Sequence, residues 1–271
     1  MWEFIHWPYV KEFFFFGNWQ LCVKVWHFNN PDRKMALGNL KRKAMDMLDS
    51  LLSARIQEKL EQEQKREQRH KLVGPPKLWR QKRDFQIRFL KKHGLKPQHK
   101  LIDLGCGTLR GGIPLIDYLQ KGHYYGLEVR EETLEEGRKE LAEAWLEHKE
   151  PALLSSPDVA TIDLGETFEY IWAFSVLVHM NDTILDGALG FVAKHLAKDG
   201  VFYVNVGLGE APERKWQSFP VVRRPLEFYE DARLKHGLAC EDLGLLSSFG
   251  DVKAHKGKGF QHMLKITPKR G

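Results

Sequence analysis

Residues Leu101-Ile-Asp-Leu-Gly-Cys-Gly-Thr-Leu-Arg-Gly-Gly112 hold the densest chemistry in this 271-residue chain. An apolar run that ends in Asp-x-Gly-x-Gly reads as a buried strand turning sharply into a helix. Gly105 and Gly107 accept backbone angles closed to other residues and put no Cβ in the way, so a ligand can lie against the main chain. Asp103 falls at the strand's carboxyl end, where open α/β sheets place their ligands. Farther on, His123-Tyr-Tyr-Gly-Leu-Glu128 is a second strand ending in an acid. A carboxylate at that point can accept both hydroxyls of a ribose. The chemistry these residues could do together is to hold a nucleoside cofactor.

Spacing decides which nucleoside. A dinucleotide fingerprint requires Gly-x-Gly-x-x-Gly or Ala, whereas the sixth position counted from Gly105 is Arg110. Asp103, Gly105 and Gly107 instead resemble the first motif of the class I S-adenosylmethionine-dependent methyltransferases, Asp/Glu-x-Gly-x-Gly-x-Gly. Leu109 stands where that family usually has its third glycine, and Gly111-Gly112 follow. The resemblance implies a cofactor site for S-adenosylmethionine built from Asp103, Gly105, Cys106, Gly107 and Thr108, with Glu128 on the ribose. The segment Phe168 to Met180 resembles the family's fourth strand and following loop, so Phe174 and Ser175 border the adenosine and the substrate. An acid between the third and fourth strands commonly serves the adenine amino group. Asp158 is preferred for that role over Asp163, which reads equally well as a turn residue bonded to its own backbone. His179, just past the fourth strand, is the candidate general base for a hydroxyl acceptor, since imidazole titrates near neutral pH. Asn205 and Arg110 are further candidates for substrate contacts. No metal site is expected.

The elements that must position these groups follow the βαβ order. Glu132 to His148 reads as an amphipathic helix sharing Leu134, Leu141, Ala144 and Trp145 on one face. Asp186 to Ala197 is a helix, Gly200 to Val206 a fifth strand, and two late strands fall near Gly244 to Phe249 and Phe260 to Thr267. The resemblance, from about Trp79 to Lys269, implies a doubly wound, seven-stranded, mostly parallel sheet closed by an antiparallel pair. A helical, aromatic-rich extension precedes it. Residues 1–76 are the expected extension and 77–271 the methyltransferase domain, divided at Gly74-Pro75-Pro76.

Charge is uneven. Residues 1–100 carry 22 Lys and Arg against 10 Asp and Glu, while residues 101–271 carry 20 against 26, so any polyanion would be met by the extension. Three cysteines, Cys22, Cys106 and Cys240, are too few and unpatterned for a disulfide framework, which fits a reducing, cytoplasmic location. Cys106 reads as a small residue packed in a tight turn rather than a nucleophile. Four of eight Trp and six of sixteen Phe fall in residues 1–30. Glu3, Lys11, Glu12 and Lys24 interrupt that stretch, so it does not span a membrane. Phe13 to Trp26 reads as a hairpin that packs on the domain, covers the substrate or lies on a lipid surface. Leu40 to Lys71 is a long, partly solvated helix and Leu78 to His93 a second one.

The function implied is methyl transfer from S-adenosylmethionine to oxygen or nitrogen of a small-molecule, sugar or lipid-linked acceptor. The Asn/Asp-Pro-Pro-Tyr motif of base- and amide-methylating relatives is absent after the fourth strand. Two alternatives stay open: an RNA or ribonucleoprotein methyltransferase tethered by the basic extension, and a cofactor-binding scaffold without catalysis.

Overall fold

The computed structural model describes residues 31–210, 214–250 and 260–269. The chain divides into two compact units, residues 1–62 and 63–271. In the first, the described residues are helical, the start of helix α1 (Pro31–Lys71). Proline suits that opening turn because its missing N–H would lack an intrahelical partner anyway. Along it Met45, Leu48, Leu52 and Ile56 are exposed. The hairpin expected at Phe13 to Trp26 lies outside the described residues.

The larger unit is built on a seven-stranded sheet of order β3-β2-β1-β4-β5-β9-β8. Its members are β1 (Leu101–Leu104), β2 (Tyr124–Glu128), β3 (Ala152–Ser155), β4 (Phe168–Ala173), β5 (Leu196–Gly207), β8 (Leu238–Leu245) and β9 (Gln261–Pro268). The first five run parallel, and β9 pairs antiparallel with both β5 and β8. A small hairpin, β6 (Arg214–Trp216) and β7 (Phe219–Val221), stands outside that sheet.

Burial on both faces explains the near-continuous apolar strands. In β1 the side chains alternate. Leu101 packs with Phe85, Phe89 and Leu90 of α2 (Trp79–Lys92), Leu115 of α3 (Gly112–Tyr118) and Leu134 of α4 (Glu131–Glu143). Ile102 and Leu104 pack on the other face with Leu185, Leu189 and Val192 of α5 (Asp182–His195) and Tyr229 of α6 (Leu226–Lys235). Asn181 starts α5 by accepting the Ile184 N–H at 2.9 Å.

The last turns of α1 belong to this unit. Arg69, buried, meets Glu136, Glu140 and Glu143 at 2.9–3.0 Å, and these three acids are spaced so as to share one face of α4. His70 stacks on Trp79 at 3.9 Å between ring centroids. These contacts seat the turn at residues 71–75 beside the glycine loop.

Three expectations need correction. Helix α4 ends at Glu143. Trp145 lies beyond it with φ +57° and 85% exposure, so it does not share the buried face of Leu134 and Leu141. The strand placed near Gly244 to Phe249 is instead Leu238–Leu245, followed by a 3₁₀ turn at Leu246–Phe249. Its acids Glu241 and Asp242 suit an edge strand, where one side faces water.

Candidate functional site

The chain order reverses between β1 and β4: from β1 the sheet grows through β2 and β3 to one side and through β4 and β5 to the other. The crevice at their carboxyl ends is the place where such sheets bind ligands. One wall is the Asp103-to-Gly107 turn and the end of β2. The other is Phe174, Ser175 and the 3₁₀ turn Leu177–His179.

Gly105 and Gly107 adopt φ +71° and +58°, the left-handed region that the sequence requires of them. A Cβ on Gly105 would meet Val176 at 2.5 Å, and one on Gly107 would meet Val73 at 2.6 Å. The Gly105 and Cys106 N–H groups both donate to Leu127 O, at 2.8 and 3.0 Å, which clamps the loop to β2. Leu109 also takes a left-handed φ of +57°, and is fully buried. Its side chain fits because Gly112 and Gly137 leave space: a Cβ on either would come within 3.1 Å of it. The bend that the family reaches with a third glycine is thus reached by a leucine with two neighbouring glycines making room.

Asp103 is buried and accepts from Tyr124 Oη at 2.9 Å. Burial pushes its carboxyl up to about 7, with the Glu128 charge adding to the rise, while Tyr124 and Arg110 oppose it. Glu128, also buried, accepts the Gly107 N–H on Oε2 at 3.0 Å; Oε1 accepts the Val129 and Arg130 N–H groups at 3.1 and 3.2 Å. Each carboxylate oxygen has two lone pairs, so Oε2 keeps one for a further donor. Cys106 is packed against Gly126, its thiol pushed well above the ordinary range by burial. Thr108 is fully buried, and its hydroxyl has no partner among the described residues.

Phe174 stacks on Trp172 at 5.7 Å, with Lys82 and Arg110 over its ring at 5.7 and 6.0 Å. Ser175 adopts φ +62°, a strained conformation for a residue with a Cβ. Its N–H donates to Asn205 Oδ1 at 2.6 Å, and Asn205 Nδ2 is buried without a partner among the described residues. His179 Nδ1 lies 2.7 Å from Pro220 O. A carbonyl only accepts, so Nδ1 carries the hydrogen and Nε2 keeps the lone pair of the neutral ring. Burial holds the imidazole below its usual range, and the charges of Arg130 and Lys82 act in the same direction.

The structure gathers Asp103, Gly105, Cys106, Gly107, Thr108 and Glu128 at the ends of β1 and β2, and Phe174, Ser175 and His179 just after β4; Cys106 and Phe174 are buried in the core there. Asp158 is exposed, with its carboxylate accepting the Ala160 N–H at 2.9 Å as a cap of the short turn Val159–Thr161. Asp163 accepts from the Gly165 N–H at 2.9 Å and pairs with Lys194 at 2.8 Å. Sequence reasoning missed Tyr124, Val73 and the β6–β7 hairpin that shelters His179. A tyrosine on the strand flanking an internal acid was the available signal for the first.

Asp103 makes the cofactor-free protein pH-sensitive. Its folded-state value lies above the unfolded one, so its contribution to stability is full below about pH 4 and lost as the pH rises through about 7. Asp103→Asn has no charge to bury. Thermal unfolding should show the variant gaining on wild type from pH 4 to 8, by an order of 2–4 kcal/mol. A pH-independent difference would contradict the assignment.

Residues 102–202 match the model of a family described as a methyltransferase domain. No curated protein matches the chain. Among solved structures, the glycopeptide N-methyltransferase MtfA complexed with S-adenosyl-L-homocysteine is similar over 69% of this chain and 89% of its own. The identity is 14% and the TM-score 0.54. An S-adenosylmethionine-dependent methyltransferase from Clostridium acetobutylicum matches over 71% of this chain and 92% of its own, at 14% identity and TM-score 0.54. Magnesium protoporphyrin IX methyltransferase from Synechocystis, with bound S-adenosylmethionine, matches over 70% and 79%, at 16% identity and TM-score 0.53. At these identities the structural likeness is one of fold. Residues 102–202 thus resemble a methyltransferase domain, and the fold is that of the solved S-adenosylmethionine-dependent methyltransferases.

Proposed function

We propose that this chain transfers a methyl group from S-adenosylmethionine to an oxygen or nitrogen of a small-molecule, sugar or lipid-linked acceptor. The observation that carries the reading is the convergence of two sets of groups on one crevice. Asp103, Glu128 and the turn at Gly105 and Gly107 form one wall, and the lone pair of His179 Nε2 stands by the other. The residues present fit the cofactor: a turn of two left-handed glycines, two buried carboxylates and a Thr108 hydroxyl with no partner among the described residues.

When bound, S-adenosylmethionine supplies an electrophilic methyl on a cationic sulfur. The chain's own residues do the rest. Glu128 holds the ribose through the free lone pair of Oε2, and Phe174 covers the adenosine. Asp103 sits where a cation is favourable, since a positive charge nearby offsets the burial of its ionised form. Positioning of two reactants in a desolvated site supplies most of the acceleration, up to about 7–11 kcal/mol in the best intramolecular cases. For a hydroxyl acceptor, His179 Nε2 takes the proton as the new bond forms, while the Pro220 carbonyl fixes the tautomer that leaves Nε2 open.

The RNA reading rests on the basic extension. In the described residues Arg69 and Arg66 are engaged by acids of α4, Arg83 pairs with Asp84, and Lys91 lies over Tyr118. Partnering of this kind lowers the case for a phosphate tether. The cytoplasmic location and the membrane contact of residues 1–30 remain part of the proposal; among the described residues no helix is long and apolar enough to cross a membrane. Incubation with methyl-labelled cofactor and a fractionated cell extract tests the reading. Label is expected in the metabolite, glycan or lipid fraction. Label confined to RNA, or none in any fraction, would contradict it.

A further inference from the structure

The β6–β7 hairpin forms a wall beside His179. An isolated two-stranded hairpin is marginal in water, so its position must be held by other contacts. Three are visible. Pro220 O accepts from His179 Nδ1 at 2.7 Å, the Val222 N–H donates to Val178 O at 2.8 Å, and Arg130 donates to Gln217 Oε1 at 3.3 Å. Gln217, in the turn, takes φ +54°, so the turn is strained as well as tethered.

The register determines what that wall presents. Trp216 pairs with Phe219 and Arg214 with Val221, and alternate residues of a strand share a face. Trp216 and Phe219 face His179, with ring centroids 5.4 and 6.0 Å from the imidazole. Arg214 therefore lies on that aromatic face as well, and is exposed. The Arg130 guanidinium stands over the Phe219 ring at 5.3 Å, with its Nε 3.4 Å from Glu128 Oε1, so it links the hairpin to the end of β2. Both aromatic rings are only half-buried. The segment Arg214-Lys-Trp-Gln-Ser-Phe-Pro-Val-Val-Arg-Arg224 carries four basic residues and no acid. Arg224 is consumed by Asp182, at 2.7 Å.

Aromatic rings flanked by two arginines suit a flat ligand with negative charge: the rings cover its apolar face and the guanidinium forks meet its anion. Asn205 adds a buried amide donor on the strand beside Ser175, held by the Ser175 N–H and left with Nδ2 unmatched.

We propose that the β6–β7 hairpin face, with Arg130 and Arg214, is the acceptor subsite, and that it takes a hydroxylated ring compound carrying a carboxylate. The inference rests on the methyltransferase reading and narrows its substrate class. The ring stacks on Trp216 and Phe219, the carboxylate meets the two arginines, and the hydroxyl is turned toward His179 Nε2 and Asn205 Nδ2.

The test uses the full chain saturated with S-adenosylhomocysteine and two matched pairs of probes, read by calorimetry. Methyl β-D-glucuronide is set against methyl β-D-glucoside, and 4-hydroxybenzoate against 4-hydroxybenzamide. In at least one pair the anion should bind about tenfold tighter than its neutral partner, as charge-assisted bonds to arginine predict. The pair that shows the preference distinguishes a saccharide acid from an aryl acid. Arg214→Gln should reduce the preference to about threefold or less, and Trp216→Ala should weaken the preferred anion and its neutral partner alike, at unchanged cofactor-product affinity. Equal binding within both pairs, no binding of any probe, or a preference that survives both Arg214→Gln and Arg130→Gln would overturn the proposal. Failure of the wild type to bind S-adenosylhomocysteine would instead bring down the methyltransferase reading, and the inference with it.

Discussion

Glu128→Ala should weaken S-adenosylhomocysteine binding by about 3 kcal/mol, near a hundredfold in Kd, since it removes charge-assisted bonds to a ribose in a buried site. The loss has two parts. The carboxylate contributes its remaining lone pair to the ligand directly, and it also fixes the Gly107, Val129 and Arg130 N–H groups that shape the cradle. Glu128→Gln separates them. An amide keeps the size of the side chain but turns one acceptor into a donor, which in either orientation faces a backbone N–H of Gly107 or of Val129 and Arg130, so a substantial share of the loss should persist. Calorimetry is the measurement, with circular dichroism confirming the fold. An affinity within about threefold of wild type for both variants would remove Glu128 from the site.

The second large effect concerns turnover. With a hydroxyl acceptor, His179→Ala should lower kcat by about 10²–10⁴-fold, the usual contribution of a positioned general base. Cofactor-product affinity should not change, because the ring contacts Pro220, Trp216 and Phe219 and none of the cradle residues. A merely structural histidine would also loosen the hairpin on removal, so the loss of rate alone does not decide the matter. The pH profile does. The neutral imidazole is the active form and burial holds its titration below the ordinary value, so wild-type activity should fall only on the acid side of about 6.5. That acid limb should vanish in the variant. A limb that persists unchanged would make His179 a support for the hairpin and nothing more.

Much of the β1–β2 wall of the crevice was legible in the sequence because its constraints are local. Gly105 and Gly107 are needed by backbone angles within one turn, and Asp103 and Glu128 are placed by the ends of two adjacent parallel strands. Leu109 shows where local reasoning stops. Its left-handed backbone is supported by Gly112 and by Gly137 on a different helix, a compensation that only the packing displays. The β6–β7 wall was less legible for a similar reason. Gln217-Ser218 is a poor turn signal beside Asn-Gly or Asp-Gly, and the β6–β7 hairpin exists through tethers to Val178, His179 and Arg130, distant in sequence. Edge strand β8 misled the reading because its polar residues weaken the alternation, and Gly244 marks an irregular register rather than a strand start. Trp145 misled it because a hydrophobic residue at helical spacing need not lie within the helix.

The account depends on the crevice between β1 and β4 being the cofactor site. A crystal structure of the full chain with S-adenosylhomocysteine tests this most directly. A ribose hydroxyl should lie within hydrogen-bond distance of Glu128 Oε2, with the adenine beside Phe174 and the methionine tail against Gly105 and Gly107. A ligand bound elsewhere, or a crevice left empty at saturating ligand, would contradict it.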